Sequence, residues 1–416
     1  MMIKPWFKTP QHLQNYVVDL ILAELSALRP GWQMPSFQQS EVIKVLKEDE
    51  FNLDSLEKVS LSVSLTRSIH LEISSIEDNL LNQVSIDDWI LISHKSLNIY
   101  SEKISFKTSG SVGLKKYNTH SIAQLEEEAS VLGKLLNGRK RILKTVPSNH
   151  IYGFIFTILL PRYLGEQVEI IDVRNLSFNT ILSLMESGDL IIAYPEFWRC
   201  MDESNITFPS DIIGVNSTGP CPNEVGENLL RKNLKSFLEV YGSSETAGIG
   251  WRNHPMSPYT LFPFWKKDLQ TGDEIDRLLP DYFTKSYKLQ DELVWTSSTQ
   301  FFVKKRKDEI VQIGGVNVSI DHVREKLMEH HLVEDACVRL MRPDEGIRLK
   351  AFIVLKKSIP EYEKVSEPNY IKNKIFIDEI ESYINKSFNT QERPKSITFG
   401  LKIPVNKLGK KADWFI

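Results

Sequence analysis

Cysteine is scarce in this sequence, and its charge is nearly balanced. The three cysteines, Cys200, Cys221 and Cys337, are scattered, with no CxxC pair and no histidine at ligand spacing. This pattern fits a reducing compartment and argues against a disulfide scaffold and a zinc site. A formal net charge of −3 over 416 residues gives no basic surface of the kind that nucleic-acid-binding proteins carry. We therefore expect no nucleic-acid partner.

Long hydrophobic runs are also lacking, and we expect no leader peptide. The first ten residues, MMIKPWFKTP, contain no apolar segment typical of a signal peptide. The longest largely apolar run, residues 151–160, is too short to span a bilayer. We therefore expect a cytoplasmic protein without a membrane partner.

Hydrophobic spacing divides the chain into three regions, and we predict domains over residues 1–98, 99–303 and 304–416. The first is predicted to be a small helical domain, because apolar residues recur at the spacing of a helical face. Two such faces are present: Leu13, Val17, Leu20, Ile21 and Leu25, and then Leu56, Val59, Val63 and Thr66.

The second and third regions contain predicted strands. In residues 99–303 short apolar runs alternate with helices, which is typical of an α/β layered domain. Residues 104–106 and the runs QVEIIDV, DLIIAY and SDIIGVN are predicted strands, the last three buried and parallel, and residues 121–136 are a predicted helix. Residues 304–416 are predicted to form a smaller α+β unit, with a helix after Ser319 and a hairpin that turns at 343–346.

The stretch FKTSGSVGLKK, residues 106–116, has the composition of a phosphate-binding loop. Glycine lets backbone N–H groups approach an anion, hydroxyls donate further hydrogen bonds, and lysine adds positive charge. It is not a Walker loop, because two rather than four residues separate its glycines. Taken alone, it is equally compatible with an ordinary turn after a strand. The candidate residues are Thr108, Ser109, Gly110, Ser111, Gly113 and Lys116.

Five motifs follow this loop: VPSNHIYGF, NSTGPCP, VYGSSET, RKDEIVQIGGVNV and PVNKLGKK. In this order they resemble the adenylate-forming superfamily, which includes acyl- and aryl-CoA ligases, luciferases and the adenylation domains of peptide synthetases. The resemblance runs from residue 99 to the C-terminus. It implies an α/β ligase core that is abridged at its start and a small α+β lid domain at the C-terminus.

The resemblance implies an ATP site. The loop around Thr108 would hold the phosphates of ATP, although Val112 replaces the family's threonine and Lys115 its proline. Asp291 would bind the ribose, although the Thr-Gly that precedes this acid in the family is missing. The other implied ATP contacts are Thr218, Gly219, Pro220, Tyr241, Gly242, Ser244 and Arg306.

Three residues are the implied catalytic groups. Lys410 would bridge the substrate carboxylate and the α-phosphate, because two anions meet in this reaction and a cation must offset their charge. Glu245 would bind Mg²⁺, a hard cation suited to carboxylate oxygens. His150 matches the family's gate beside the acid pocket. In the lid, the resemblance implies a hinge at Asp308 and a loop for thioester formation at Gly314 and Gly315.

The region before the phosphate loop lacks the superfamily's early motifs and instead resembles an acyl carrier protein. Asp54-Ser55-Leu56 opens a predicted helix with Asp54 as its N-cap. Ser55 would carry 4′-phosphopantetheine at the positive end of that helix. The glycine usual before the aspartate is missing, and an amphipathic helix with an incidental DSL is the ordinary alternative.

The expected activity is ATP-dependent activation of a carboxylic acid through an acyl-adenylate. Transfer to a phosphopantetheine thiol would follow, on a carrier protein or on CoA, in secondary-metabolite or lipid biosynthesis. The SNHIYGF segment has no acidic residue to bind an α-amino group, so an acid without one is favoured. Tyr152, Trp251 and the small residues at 248–250 hint at a flat aromatic acid, and a fatty acid stays open. The alternative is a catalytically impaired relative that docks carrier proteins.

Overall fold

A computed structural model describes residues 4–29, 53–83, 85–108, 116–165, 167–268, 274–279, 283–306, 310–342, 344–356, 374–400, 402–404 and 414. These residues form two compact units, one ending at Lys305 and the other beginning at Arg306. Within the described ranges, no helix is long and apolar enough to cross a membrane.

Helices dominate the first hundred residues, as predicted. The described α-helices are α1 Pro10–Leu28, α2 Ser55–Ile69, α3 Asn79–Asn82 and α4 Ile86–Ile99. Helix α1 starts with Pro10, whose fixed φ and missing N–H suit the first helical position. All five apolar residues predicted for the face of α1 are buried, which confirms that face.

Helix α2 begins as predicted but buries a different face. Asp54 Oδ1 accepts a hydrogen bond from the Glu57 N–H at 2.8 Å, and the Glu57 carboxylate accepts one from the Asp54 N–H at 3.1 Å. This reciprocal pair is a capping box. The predicted apolar face is wrong, because Leu56, Val59 and Val63 are 81%, 46% and 43% exposed. The buried face, which includes leucines and small serines, packs on α1: Leu61, Ser62, Ser64, Leu65 and Ser68.

The middle of the chain is the predicted α/β region. Strands β1 Lys103–Thr108 and β2 Lys116–Ser121 pair antiparallel, and α5 Ile122–Leu135 follows them. The next strands are β3 Arg141–Lys144, β4 Glu169–Asp172, β5 Leu190–Ala193, β6 Ile213–Asn216, β7 Ser236–Ser243, β8 Ala247–Arg252, β9 Tyr259–Leu261, β10 Trp265–Lys267, β11 Glu274–Leu278, β12 Thr284–Lys288, β13 Asp291–Trp295 and β14 Gln300–Arg306. The helices among them are α6 Ile151–Phe154, which continues as a π-helical turn at Ile155–Leu159, then α7 Pro161–Leu164, α8 Phe178–Leu184, α9 Pro195–Glu203 and α10 Asn223–Arg231.

One large sheet organises the first unit. Its strand order is β13-β14-β9-β8-β7-β6-β5-β3-β4 in the described residues. Strands β4, β3, β5, β6 and β7 are parallel, so the predicted parallel pairing is confirmed. The burial predicted for QVEIIDV is wrong, because its strand β4 ends the sheet, with Glu169 exposed and the next three residues half-buried. The chain passes from β3 to β4 on one side and then returns to β5 on the other. The order therefore reverses between β3 and β5, and ligands of open α/β sheets bind at the carboxyl ends of strands at such a reversal.

The front helices and the sheet share one hydrophobic core. The rings of Trp6 and Tyr16 lie 5.1 and 5.6 Å from the ring of Phe154, and all three are buried. The predicted border at residue 98 therefore lies inside the first compact unit, while the border at residue 303 lies beside the observed division. A separate domain over residues 1–98 stays a prediction.

The second unit is the smaller α+β fold that was predicted. It contains β15 Ile310–Ile313, β16 Val316–Ser319, α11 Ile320–Met328, β17 Val333–Leu340, β18 Leu349–Leu355, α12 Lys374–Ser387 and β19 Ser396–Gly400. Ser319 caps α11 by accepting a hydrogen bond from the His322 N–H at 3.1 Å. Strands β17 and β18 form the predicted antiparallel hairpin, and β19 adds to β18 in parallel. Residue 343 of the predicted turn lies outside the described residues.

Candidate active site

The carboxyl ends of the parallel strands carry several of the predicted site residues. His150 follows β3, the turn Thr218-Gly219-Pro220 follows β6, and Ser244 and Glu245 follow β7. Because β3, β6 and β7 run in the same direction in one sheet, these segments leave it at the same edge. The edge includes the reversal between β3 and β5, where the topology places a ligand site.

The segment around His150 crosses this edge. The single Tyr152 hydroxyl proton is shared between the carbonyl oxygens of Ala193 and Val215, which lie 3.0 and 3.1 Å from the hydroxyl oxygen near the carboxyl ends of β5 and β6. The His150 side chain is exposed, yet desolvation by the surrounding protein lowers its pKa, against the opposing effect of Asp19. His150 is therefore an exposed residue at the carboxyl edge of the sheet.

The turn after β6 combines strain with unsatisfied polar atoms. Thr218 has a φ of 73°, a left-handed conformation that is costly for a β-branched residue and concentrates at ligand sites. Three buried oxygens at this edge have no hydrogen-bond partner among the described residues: Asn149 Oδ1, Asn216 Oδ1 and Thr218 Oγ1. Buried polar atoms are nearly always hydrogen-bonded in proteins. This edge therefore has the hydrogen-bonding capacity for a polar ligand such as a nucleotide base.

Two residues predicted to contact the adenosine of ATP are in direct contact. The Tyr241 hydroxyl donates to Asp291 Oδ2 at 2.8 Å, although 50 positions separate them. Tyr241 packs against the rings of Tyr259 and Phe301, which fix its plane. Gly242 follows directly, and a Cβ at that position would collide with the carbonyl of Ala247. The backbone here thus requires the glycine.

Glu245 is anchored by strand β2, which follows the predicted phosphate loop. Asn118 Nδ2 donates to Glu245 Oε1 at 3.3 Å, and His120 Nε2 lies 2.8 Å from the carbonyl oxygen of Ser244. Burial lowers the pKa of His120, and the bond to Ser244 opposes that shift. Sequence reasoning missed Asn118 and His120. Their signal was alternation in a strand that starts at the end of the loop, which places both on one side of the strand.

The ends of the predicted phosphate loop are adjacent. Thr108 ends β1, Lys116 begins β2, and the two residues are paired across the hairpin. Arg306 ends β14. The remaining predicted residues lie outside the described part of the chain: Ser109, Gly110, Ser111, Gly113, Asp308 and Lys410.

Gly314 and Gly315 form the two-residue turn between β15 and β16. Their φ values of 57° and 76° are both positive, as a type I′ hairpin turn requires. The turn explains the glycine pair by backbone geometry within the second unit. Its predicted part in thioester formation stays a prediction.

Ser55 is exposed at the first position of α2. The capping box at Asp54 and Glu57 is extended by Arg29, whose Nε lies 2.5 Å from Glu57 Oε1. The predicted N-cap is thus confirmed, while phosphopantetheine attachment at Ser55 stays a prediction.

The space beside Gly248 and Gly250 is filled by other side chains, so it is not open to a ligand. A Cβ on Gly248 would meet Glu128 and Phe262, and one on Gly250 would meet Phe301. Glu128 is buried and accepts a hydrogen bond from the Gly248 N–H at 2.8 Å. Burial raises the pKa of the Glu128 carboxyl to about 7. The hint of a flat acid drawn from these glycines has no support in their packing.

A second group of possible metal ligands lies in the second unit. His330, His331 and Glu379 have ligand atoms within 4.8 Å of one another. His330 Nε2 and His331 Nε2 lie 3.9 and 3.5 Å from Glu379 Oε1, and His330 Nδ1 accepts a hydrogen bond from the Leu332 N–H at 3.4 Å. One nitrogen of His330 is thus already engaged by the backbone, and three groups of this kind carry no assignment of a metal.

Comparison with known proteins identifies the class. No protein-family model matches the chain. A 4-coumarate–CoA ligase of Cereibacter sphaeroides is 33% identical over 377 residues, which cover 89% of this chain and 85% of that protein. A 4-coumarate–CoA ligase of Halorhodospira halophila is 32% identical over 409 residues, which cover 96% of this chain and 100% of that protein.

Solved structures give the same fold. An o-succinylbenzoate CoA synthetase from Bacillus subtilis, in a double-mutant form, superposes with a TM-score of 0.57 at 16% identity over 96% of this chain and 91% of its own. The amide bond synthetase McbA from Marinactinospora thermotolerans gives 0.54 at 15% identity over 74% and 67%. The fold is the α/β fold of adenylate-forming enzymes. The chain belongs to the adenylate-forming superfamily, as an acid–thiol ligase of the AMP-forming type.

The relatives change the interpretation of the front region. The alignment with the Halorhodospira protein covers that protein completely and leaves only 4% of this chain unaligned. Most residues before Thr108 are therefore shared with a protein named as a CoA ligase. The likeness of this region to a carrier protein is not confirmed.

Proposed function

We propose that the protein activates an aromatic carboxylic acid with ATP and transfers the acyl group to CoA. The observation that supports the proposal is the hydrogen bond from Tyr241 to Asp291, together with the turn at 218–220 and Glu245 at the carboxyl edge of the same sheet. The names of relatives that span nearly the whole chain support an aromatic acid and CoA as substrates.

The reaction has two steps. A carboxylate oxygen attacks the α-phosphorus of ATP, pyrophosphate leaves, and an acyl-adenylate forms. The sulfur of the CoA thiol then attacks the acyl carbon, and AMP leaves with the oxygen that came from the acid. The thiol proton passes to solvent. Both steps concentrate negative charge near the α-phosphate, which cations and hydrogen-bond donors must offset.

Each part of the site has a proposed task. Tyr241 stacks on adenine and holds Asp291, which accepts hydrogen bonds from the ribose. Glu245, held by Asn118, supplies the carboxylate that binds Mg²⁺, and the bound metal neutralises phosphate charge. Lys410 bridges the carboxylate and the α-phosphate, and His150 lies beside the bound acid. The partly buried carboxylate and the unsatisfied oxygens at the carboxyl edge fit these ligands.

CoA is the proposed acceptor, rather than a carrier protein. The relatives named as CoA ligases align across most of the front region that had favoured a carrier. No observation on the described residues favours the carrier-docking alternative.

The test is exchange of labelled pyrophosphate into ATP with a panel of acids. We expect hydroxycinnamates such as 4-coumarate to support exchange, benzoates to support it less, and amino acids not at all. Exchange with fatty acids alone would contradict the aromatic assignment. No exchange with any acid, in protein that binds ATP, would contradict adenylation itself.

A further inference from the structure

A buried group of four charges joins α1 to the carboxyl ends of β3 and β4. Asp19 on α1 and Lys144 at the end of β3 are fully buried, with Lys144 Nζ 3.1 Å from Asp19 Oδ2. Arg174 lies 2.5 Å from both Asp19 and Asp172, and Lys144 lies 3.3 Å from Asp172. Two carboxylates thus balance two cations, which is how charges are tolerated inside a protein.

Asp19 also holds the backbone of the loop that carries His150. Its Oδ2 accepts a hydrogen bond from the Ser148 N–H at 2.6 Å. On the C-terminal side of His150, Gly153 in α6 lies so close to the carbonyl of Pro147 that a Cβ at this position would collide with it. The loop is therefore packed directly against α6. His150 is therefore fixed from both sides, and one of the two fixed points depends on the first helix.

The contacts of the Asp19 carboxylate indicate that it orients the loop, in addition to attaching helix α1 to the sheet. Replacing a buried ion pair with apolar side chains is often neutral or stabilising, so apolar packing alone would fasten α1. A carboxylate adds direction, because it binds a particular N–H and particular cations at defined positions. The loop that it directs leaves Asn149 Oδ1 without a partner among the described residues and leaves His150 exposed. Those are the features of a loop that faces a ligand.

We infer that Asp19 is a positioning residue for the acid site: through Ser148 it sets the loop that carries His150, and it makes helix α1 part of the ligase site. The inference rests on the proposed function, because the acid is taken to bind beside His150. It assigns a task to the front region that does not depend on carrier chemistry.

The test compares Asp19→Asn with Asp189→Asn in pyrophosphate exchange. Asp189 is a matched control, since it is also fully buried, accepts a backbone N–H at 2.8 Å from Glu186 and lies 3.5 Å from Arg141, but it precedes β5 at the opposite edge of the sheet. In Asp19→Asn we expect the KM for the acid to rise about tenfold while the KM for ATP stays within about twofold. In Asp189→Asn both KM values should stay within about twofold. Loss of thermal stability in Asp19→Asn without that split would overturn the inference.

A second variant and a second readout cover the other outcomes. If Asp19→Asn does not fold, Arg174→Lys replaces it as the test variant. This substitution keeps the positive charge but loses the planar guanidinium, so it should raise the KM for the acid about threefold. An unchanged KM for the acid would overturn the inference.

If the wild-type protein shows no acid-dependent exchange of pyrophosphate, the proposed function fails. Amide hydrogen exchange over residues 145–150 then tests whether Asp19 positions the loop. Faster amide exchange in Asp19→Asn than in Asp189→Asn supports positioning, and equal rates in the two variants reject it.

Discussion

At the scale of single residues, the bond from the Tyr241 hydroxyl to Asp291 is a direct link within the proposed nucleotide site. Tyr241→Phe keeps the ring and removes the donor. A hydrogen bond to a carboxylate contributes about 1.5–3 kcal/mol, and part of that should be lost from ATP binding, so we expect the KM for ATP to rise about five- to tenfold. Steady-state exchange at varied ATP measures this.

Tyr287→Phe is the control for Tyr241→Phe, because Tyr287 lies on β12 and packs on Trp265. It should leave the KM for ATP unchanged. If Tyr241→Phe also leaves it unchanged, Asp291 does not bind the ribose in the way we propose.

Glu245→Gln removes the charge of the proposed metal ligand and keeps its shape. We expect turnover at limiting Mg²⁺ to fall about a hundredfold and to recover in part as Mg²⁺ is raised, because the weakened site needs more metal to fill. Magnesium titration of exchange, with exposed Glu224→Gln as control, measures the effect. A loss that no metal concentration relieves would make Glu245 a structural residue.

Glu128 should make stability depend on pH. Its carboxyl has a pKa of about 7 in the folded protein, raised by burial from 4.5. Between these values the folded state keeps a proton that the unfolded state has lost. The free energy of unfolding therefore falls as pH rises from about 4.5 to 7, by up to about 3 kcal/mol, and the loss persists above pH 7.

Thermal unfolding of Glu128→Gln from pH 5 to 8.5 checks this effect. Because glutamine does not titrate, the Tm of the variant relative to the wild type should increase through this range and level off above about pH 7. Exposed Glu334→Gln should follow the wild type. Parallel profiles for Glu128→Gln and the wild type would show that the carboxyl is not held protonated by its surroundings.

At the scale of elements, the sequence predicted best where one local rule decided the outcome. The run DLIIAY became the buried parallel strand β5, because only a strand covered on both faces carries such a run. Asp54 and Ser319 became N-caps because a side-chain oxygen beside the first turn satisfies a free N–H.

Helix α2 shows where such rules stop. It carries two possible stripes, and periodicity favoured the one with Leu56, Val59 and Val63. The structure buries the stripe with Leu61 and Leu65 instead. That choice depends on the shapes of α1 and β1, with which α2 is in contact, and no pattern within α2 records those shapes.

Helix α2 also carries the prediction about Ser55. If this region acts as a carrier, coexpression with a broad-specificity phosphopantetheinyl transferase should add one phosphopantetheine to the protein, and Ser55→Ala should abolish the gain. Intact-mass measurement decides. No gain in the wild type would leave α2 as a packing element of the ligase unit, in keeping with its burial against α1.

At the scale of the whole molecule, the order of motifs was enough to predict the α/β fold class, the small α+β unit and the ligase class. The role of the front region was not predictable. Asp19 contacts Lys144 and Arg174, which are 125 and 155 positions away. The sequence of α1 does not distinguish an aspartate that is buried among charged side chains from an aspartate that is exposed to solvent.

The central claim is that a carboxylate oxygen attacks the α-phosphorus of ATP. The most direct measurement uses an aromatic acid labelled with ¹⁸O in both carboxylate oxygens, with ATP and CoA, followed by mass spectrometry of the products. We predict acyl-CoA and AMP in equal amounts, with one ¹⁸O in each AMP, and no labelled AMP from Lys410→Ala. Thioester formed with unlabelled AMP, or with ADP and phosphate, would contradict the acyl-adenylate.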